Sequence, residues 1–344
     1  MGLSRVADDG GPAAIPPLSV VTVCMNRREH LLTTAPQVAA WPHHHEHLIV
    51  DWSSRQPLRR DELPEDPRLR LLRVEGESRW NLCRAYNFAL AQARGAWLLK
   101  LDADAWPTLR FDPADPSLRL PDGGSLCAFG SGPEGRRGQL LIARSLFMAV
   151  GGFHELMVGY GFDDKDLQAR LRLHTGVEPA VMPPDWLAVI AHGDEERAGQ
   201  GRSAQRGGLE VARGEAAMRA SRLANRLVAA HCPWGAHSLR SRYREEMPEQ
   251  WRLEPASQPH PPAEVAAELE HARRMIFWGA LLAIPEVGLE VMPFSLFPPE
   301  KGGRWPLRWW HRLWWHSCRR MVLLPVQLLV AAQALLTEGR RRSP

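Results

Sequence analysis

Trp97-Leu98-Leu99-Lys100-Leu101-Asp102-Ala103-Asp104 is a mostly apolar run that ends in carboxylates at alternate positions. Bounded by Gly95 and by Trp106-Pro107, it reads as a strand over Ala96–Leu101 whose C-terminal end carries Asp102 and Asp104. Oxygen ligands so spaced at an exposed strand end suit a hard divalent cation. Upstream, Leu18–Cys24 is a β-branched run read as a buried strand, and Asn26-Arg27-Arg28-Glu29-His30-Leu31 opens a helix. His47–Asp51 and Leu69–Val74 read as two more strands. Trp80–Arg94 repeats apolar residues at Leu82, Tyr86, Ala89, Leu90 and Ala93, the period of an amphipathic helix, which Gly95 ends. This order predicts an α/β sandwich with a mainly parallel sheet, in which ligands bind at the carboxyl ends of strands. Asp51, Asp102 and Asp104 all fall there.

A second acidic segment lies about sixty residues on: Gly151-Gly152-Phe153-His154-Glu155 runs into Gly159-Tyr160-Gly161-Phe162-Asp163-Asp164-Lys165-Asp166-Leu167. Carboxylates in a helix's first turn gain ~0.3–1 kcal/mol each from unpaired N–H groups and the helix dipole. Three exceed what capping needs, and Gly159 with Gly161 suggests close backbone approach to a ligand. A cation site plus a separate carboxylate able to act as a base points to metal-dependent transfer on a diphosphate-activated substrate.

Around these segments, Leu126–Phe129 and Gln139–Ala143 read as strands after the turn-rich loop Phe111–Gly124. Phe162–His174 reads as a helix, Glu178–Met182 as a strand and Trp186–His192 as extended chain. Gly199–Gly208 reads as a mobile loop, and Val211–His231 as a helix closed by Pro233-Trp234-Gly235. We expect a loose arm over residues 1–16, a catalytic domain over 17–245 and a helical, Trp/Arg-rich extension over 246–344.

The 344 residues are 44% hydrophobic and 24% charged, the balance of a globular chain, and the net charge of +4 is unevenly placed. From Lys301 to Pro344 nine Lys or Arg face one acid, Glu338, so residues 1–300 carry about −4. The same tail holds Trp305, Trp309, Trp310, Trp314 and Trp315, followed by the mostly apolar run Met321–Leu336. That run is shorter than the ~20 residues of a membrane span, and its aromatic and basic setting suits an interfacial segment over residues 304–336. The five cysteines are far apart and read as reduced thiols, and the N-terminus lacks the basic and apolar regions of a secretory signal. A cytoplasmic protein, peripheral on the inner face of the cell membrane, is the expectation. His43-His44-His45 with His47 reads as a surface loop, because adjacent histidines do not converge on one ion.

Trp97–Asp104 resembles the metal-binding motif of GT-A glycosyltransferases, particularly family 2, and Asn81-Leu82-Cys83-Arg84-Ala85-Tyr86-Asn87 resembles the Arg-Asn segment that precedes it. Residues 151–171 are similar to a motif shared by β-1,4-galactosyltransferases and bacterial chondroitin-type polymerases. That resemblance implies a GT-A, Rossmann-like fold for nucleotide-diphospho-sugar transfer, to which the Trp/Arg-rich tail is expected to add a membrane-interfacial helical extension. It further implies Asp164 as catalytic base, Asp163 as acceptor-sugar ligand, and Mn²⁺ (or Mg²⁺) held by Asp102, Asp104 and His192. A UDP-sugar donor would then lie against Cys24, Asn26, Arg27, Asp51, Arg84 and Asp102. The chain departs from the family at Asp51-Trp52-Ser53-Ser54, where many relatives have Asp-Asp-Gly-Ser, at Lys165, and at Asp194, where a second histidine is common. The expected activity is inverting sugar transfer to a glycan or lipid-linked acceptor, with oligomerisation through the C-terminal helices open and no nucleic-acid partner. The competing reading is an inactive GT-A-like scaffold or sugar-binding module, which would show a broken metal or base position. Nucleotidyl transfer is disfavoured because Leu18–Arg28 holds no glycine for a phosphate loop.

Overall fold

The computed structural model describes residues 17–120, 125–133, 135–190, 221–222 and 224–263, with positions 218, 266, 269, 328, 329 and 332. They fall into two units, the first drawn from Met1–Glu155, Asp164–Ala191 and Trp234–Pro259, the second from Leu156–Asp163, His192–Pro233 and His260–Pro344. The expected arm, the glycine-rich loop 199–208 and most of the tail lie outside the described residues.

The first unit is built on strands β1 (Leu18–Cys24), β2 (Glu46–Trp52), β3 (Leu69–Glu75) and β4 (Trp97–Asp102), with helices α1 (Arg28–Ala40) and α2 (Leu82–Gln92) between them. A short strand β5 (Ala105–Pro107) follows, then β6 (Cys127–Gly130), β7 (Leu140–Ala143) and helix α3 (Arg144–Ala149). Helix α4 (Asp163–Thr175), β8 (Ala180–Met182), β9 (Leu187–Val189) and the hairpin β10 (Tyr243–Met247) and β11 (Gln250–Leu253) complete it. The nine-stranded sheet has the order β10-β11-β3-β2-β1-β4-β7-β6-β8. From β11 to β4 each inner pair is parallel, and β7 runs antiparallel to β4. β5 and β9 pair separately.

β1 and β2 are buried at every position, which is why both read as unbroken runs rather than as alternation. Leu31 and Ala35 of α1 pack on Cys24 and Ile49, whereas Phe88 of α2 packs on Trp52. Ile49 and Trp52 have opposite parity on β2, so the two helices cover opposite faces of the sheet. The parallel register Cys24↔Asp51 and Val23↔Asp102 brings the carboxyl ends of β1, β2 and β4 level.

Several elements differ from expectation. The domain end expected near residue 245 falls inside the β10–β11 hairpin, and the sheet continues to Leu253. Its strands are mostly exposed, so they carry no apolar signal. The histidine segment is not a surface loop throughout. His44 and His47 are buried; His44 stacks on Trp41, and its Nδ1–H donates to the Trp41 carbonyl at 2.8 Å. Among the described residues no helix is long and apolar enough to cross a membrane.

Burial pushes His44 down to about 4, with Arg68 and His45 adding to the shift and the Trp41 hydrogen bond and Asp66 opposing it, and pushes His47 down to about 3, with His44 and Arg68 adding and Asp66 opposing. Both are neutral when folded and bind a proton when unfolded below pH 6.5, so the stabilisation they give is complete above that value and falls as the pH drops towards 4. Denaturant unfolding between pH 7 and pH 4 should show a loss of up to about 1.4 kcal/mol per pH unit for each histidine, and His47→Gln should make it shallower.

Candidate functional site

Asp102 closes β4 in a dense set of donors. Its Oδ1 accepts from Lys100 Nζ at 2.8 Å and from Tyr86 Oη at 3.2 Å, and its Oδ2 accepts from Gln139 Nε2 at 2.9 Å. Gln139 also accepts the Asp102 N–H on its Oε1 at 2.8 Å, so one side chain reads both the backbone and the carboxylate. Burial opposes ionisation of Asp102, but the Lys100 ammonium and the hydrogen bonds from Lys100, Gln139 and Tyr86 outweigh it and hold the carboxyl below its usual range.

The second acidic segment arrives at the same place. A Cβ placed on Gly138 would lie 3.5 Å from Asp102 Oδ2, 3.7 Å from Asp164 Oδ2 and 3.8 Å from Lys100 Nζ. The carboxylate at the end of β4 and one from the first turn of α4 therefore line a single small space, kept open by the absence of a side chain at residue 138.

Asp104 sits in the turn between β4 and β5, where its carbonyl accepts the N–H of Ile190 at 2.8 Å as the β5–β9 pairing Ala105↔Val189 ends. His192, the expected third ligand, lies two residues further on, outside the described residues. Among the described residues no three His, Cys, Asp or Glu side chains form a ligand set. The donor chemistry nevertheless fits a hard cation: carboxylate oxygens at a strand end, with the Asp102 side chain 35% exposed, beside a cradle that a Cβ would fill.

The turn that delivers α4 is held by its own clamps. Asn87 Nδ2 donates to the Phe153 carbonyl at 2.8 Å and to Glu155 Oε1 at 2.9 Å, while its Oδ1 accepts the Phe153 N–H at 2.7 Å. Gly152 has φ +66°, and a Cβ there would meet Asn87 Oδ1 at 2.4 Å, so this residue must be glycine. Arg170 binds Asp166 Oδ2 at 2.6 Å and the carbonyls of Val150 and Gly152 at 2.6 and 2.7 Å. Asp166 thus anchors the turn. In the second unit, Asn225 accepts the Val158 N–H at 3.1 Å and donates to the Gly161 carbonyl at 2.8 Å, bracketing the chain before Asp163. Phe162 is held at φ +77°, a conformation that costs a bulky residue about 1–3 kcal/mol and is tolerated where geometry serves a site.

At the ends of β1 and β2 the expected nucleotide residues separate. Asp51 is 1% exposed, and accepts from Ser54 N–H at 3.2 Å, Leu58 N–H at 2.9 Å and Arg73 at 2.7 Å. Asn26, at φ +58°, donates its N–H to Ser54 Oγ at 3.0 Å and accepts from Arg55 N–H at 2.9 Å, while Arg27 stands 3.3 Å from His30 Nδ1. Cys24 does not line an open pocket: its side chain packs in the core beside Leu31, and burial pushes its thiol up to about 12. Arg84 is also placed elsewhere. It forms a bidentate pair with the buried Glu77 at 2.7 and 3.0 Å, and Tyr243 Oη donates to Glu77 as well at 2.7 Å, so the guanidinium answers a buried acid. The departure after Asp51 has a structural reason: Trp52 points to the opposite face, against Phe88 and Tyr243, and Ser53 takes φ +53°, the region that suits a glycine. Sequence reasoning missed Arg73 and Gln139; a polar residue just before the apolar strand β7 was the signal for Gln139, whereas Arg73 is one of three charged residues in β3 and carried none.

If the Asn87 clamp holds the turn, Asn87→Ala should cost about 2–3 kcal/mol in chemical denaturation, because it strips partners from buried groups. A cost within error of zero would mean that the turn is held without it.

The model for Glycosyl transferase family 2 matches residues 19–111, from β1 through the Asp102-Ala103-Asp104 turn. No curated protein matches the chain. Similar solved structures include the catalytic domain of Drosophila β1,4-galactosyltransferase 7 in complex with xylobiose, at 14% identity, covering 74% of this chain and 99% of that one, with TM-score 0.43. Another is the mannosyltransferase PcManGT from Pyrobaculum calidifontis with GDP-Man and Mn²⁺, at 16% identity, 94% and 87% coverage and TM-score 0.44. A third is S. aureus TarS 1–349, at 14% identity, 63% and 75% coverage and TM-score 0.41. Over residues 19–111, carried on the sheet described above, the chain is thus similar to the family 2 glycosyltransferases.

Proposed function

We propose that the chain transfers a sugar from a UDP-sugar to a hydroxyl of a glycan or lipid-linked acceptor, with inversion and with Mn²⁺ or Mg²⁺. The observation that carries this reading is the shared space at Gly138, where Asp102 Oδ2 and Asp164 Oδ2 lie 3.5 and 3.7 Å from one point. Donor-side and acceptor-side carboxylates then act on one bond.

Asp51 and Asp102 end strands that flank β1, so they stand roughly 10 Å apart across two strand spacings. That span suits a nucleoside lying between them. Arg73, paired in register with Asp51, adds donors beside an acceptor, which matches the alternating edge of uracil. Asn26 and Arg27 border the same strand ends, while Cys24 and Arg84 are left out of the pocket. Asp104, with His192, would hold the cation, and a divalent ion there supplies positive charge to the departing diphosphate. Asp164 accepts the proton of the acceptor hydroxyl as it attacks the anomeric carbon, and a single displacement inverts that centre. Asp163, next to it at the start of α4, would orient the acceptor sugar. Residues 304–336, rich in Trp and Arg, support placement at the inner membrane face, where a lipid-linked acceptor presents its glycan.

A panel of UDP-sugars with Mn²⁺ tests the proposal directly. Turnover is expected with the native chain, and Asp164→Asn should lower it by about 10²–10⁴-fold while UDP binding, measured by calorimetry, persists. Nucleotide-sugar binding with no transfer or hydrolysis, unchanged by that substitution, would instead support the sugar-binding module.

A further inference from the structure

Lys100 is a charge where the strand calls for an apolar residue. It lies in β4, in register with Val21 on one side and Leu140 on the other, and is 1% exposed. Taking an ammonium out of water costs several kcal/mol even after relaxation, and only close partners offset it. Lys100 Nζ donates to Asp102 Oδ1 at 2.8 Å and to the Gly138 carbonyl at 2.7 Å, and stands 4.5 Å from the centre of the Tyr86 ring. A methionine side chain, of similar length, would occupy the same position without an ammonium to desolvate, so filling space alone gives no reason for the charge.

Position gives one. The ammonium lies 3.8 Å from the same Gly138 point that the Asp102 and Asp164 carboxylates approach. Asp102, Asp104 and Asp164 would otherwise leave three negative charges around the end of β4. We propose that Lys100 is a positioning residue and the internal counter-ion of this site. It holds Asp102 with Oδ2 turned towards Gly138 and offsets part of the carboxylate charge, so that a divalent cation binds weakly alone and tightly in company with the donor diphosphate. The identity of that diphosphate rests on the proposed function above; the role of Lys100 as counter-ion rests on the contacts of Asp102.

Mn²⁺ binding to the full chain, followed by electron paramagnetic resonance of the free ion with and without UDP, tests this without turnover. In Lys100→Met, Mn²⁺ alone should bind at least about tenfold more tightly than in the native chain, the effect of removing a like charge about 6 Å away even at a solvent-like dielectric of about 80. The gain in Mn²⁺ affinity caused by UDP should shrink accordingly. Lys100→Gln keeps a donor for Asp102 and Gly138 but no charge, and should reproduce the tighter binding; it also serves if the methionine variant does not fold. Unchanged or weaker Mn²⁺ binding in a variant with native-like thermal unfolding would overturn the proposal. Absence of sugar transfer by the native chain would count against the proposed function alone, since the Mn²⁺ comparison does not depend on it.

Discussion

The ion pair between Lys100 and Asp102 is the contact around which the rest of the first unit is arranged. An ammonium in a central strand needs acceptors on every side that water would otherwise fill, and these come from three separate parts of the chain: Asp102 two residues on, the Gly138 carbonyl before β7, and the Tyr86 ring on α2. Gln139 then locks the Asp102 carboxylate and its N–H together. The end of β4, the approach to β7 and the inner face of α2 thus share one electrostatic requirement, and moving any of them leaves a buried polar group unpaired.

The segment that carries Asp164 is built by a different device. The backbone before it is set by the tight turn at Gly152, the Asn87 clamp and the Arg170 bonds to the Val150 and Gly152 carbonyls. Arg170 in turn is steadied by Asp166, four residues earlier on α4, which converts one of three neighbouring acids from chemistry to architecture. Glu155 has the same character: it is buried, and its oxygens are taken by Asn87 and the Ser241 N–H. Burial pushes its carboxyl up, with those hydrogen bonds opposing the shift. In this motif dense in carboxylates, Asp166 and Glu155 fix the turn, and Asp164 approaches the space at Gly138.

Much of the frame was legible in the sequence, for physical reasons that also explain the misses. β1, β2 and β4 are buried on both faces and so read as apolar runs, and α2 and α4 lie within two residues of their expected limits because apolar period and turn glycines agree. The β10–β11 hairpin escaped notice because an exposed edge pairs through backbone groups that leave little mark on composition. Asp51, Asp102 and Asp164 were legible as types of residue at strand and helix ends; their partners Arg73, Gln139 and Gly138 were not, because register and crossover geometry bring them there. Arg84 misled because a basic residue next to a motif reads as a phosphate ligand until the buried acid it neutralises, Glu77, is seen. Strand parity likewise turned Cys24 into the core, and His44 and His47 fill space beside Trp41 rather than meeting solvent.

The central claim is that the Asp102-Ala103-Asp104 turn and Asp164 serve one site. Anomalous scattering from Mn²⁺ in crystals of the full chain grown with UDP tests it most directly. The expected result is one Mn²⁺ within coordination distance of Asp104, with the diphosphate reaching the space at Gly138 between Asp102 and Asp164. A Mn²⁺ peak away from Asp104, or a diphosphate seated elsewhere on the sheet, would contradict it.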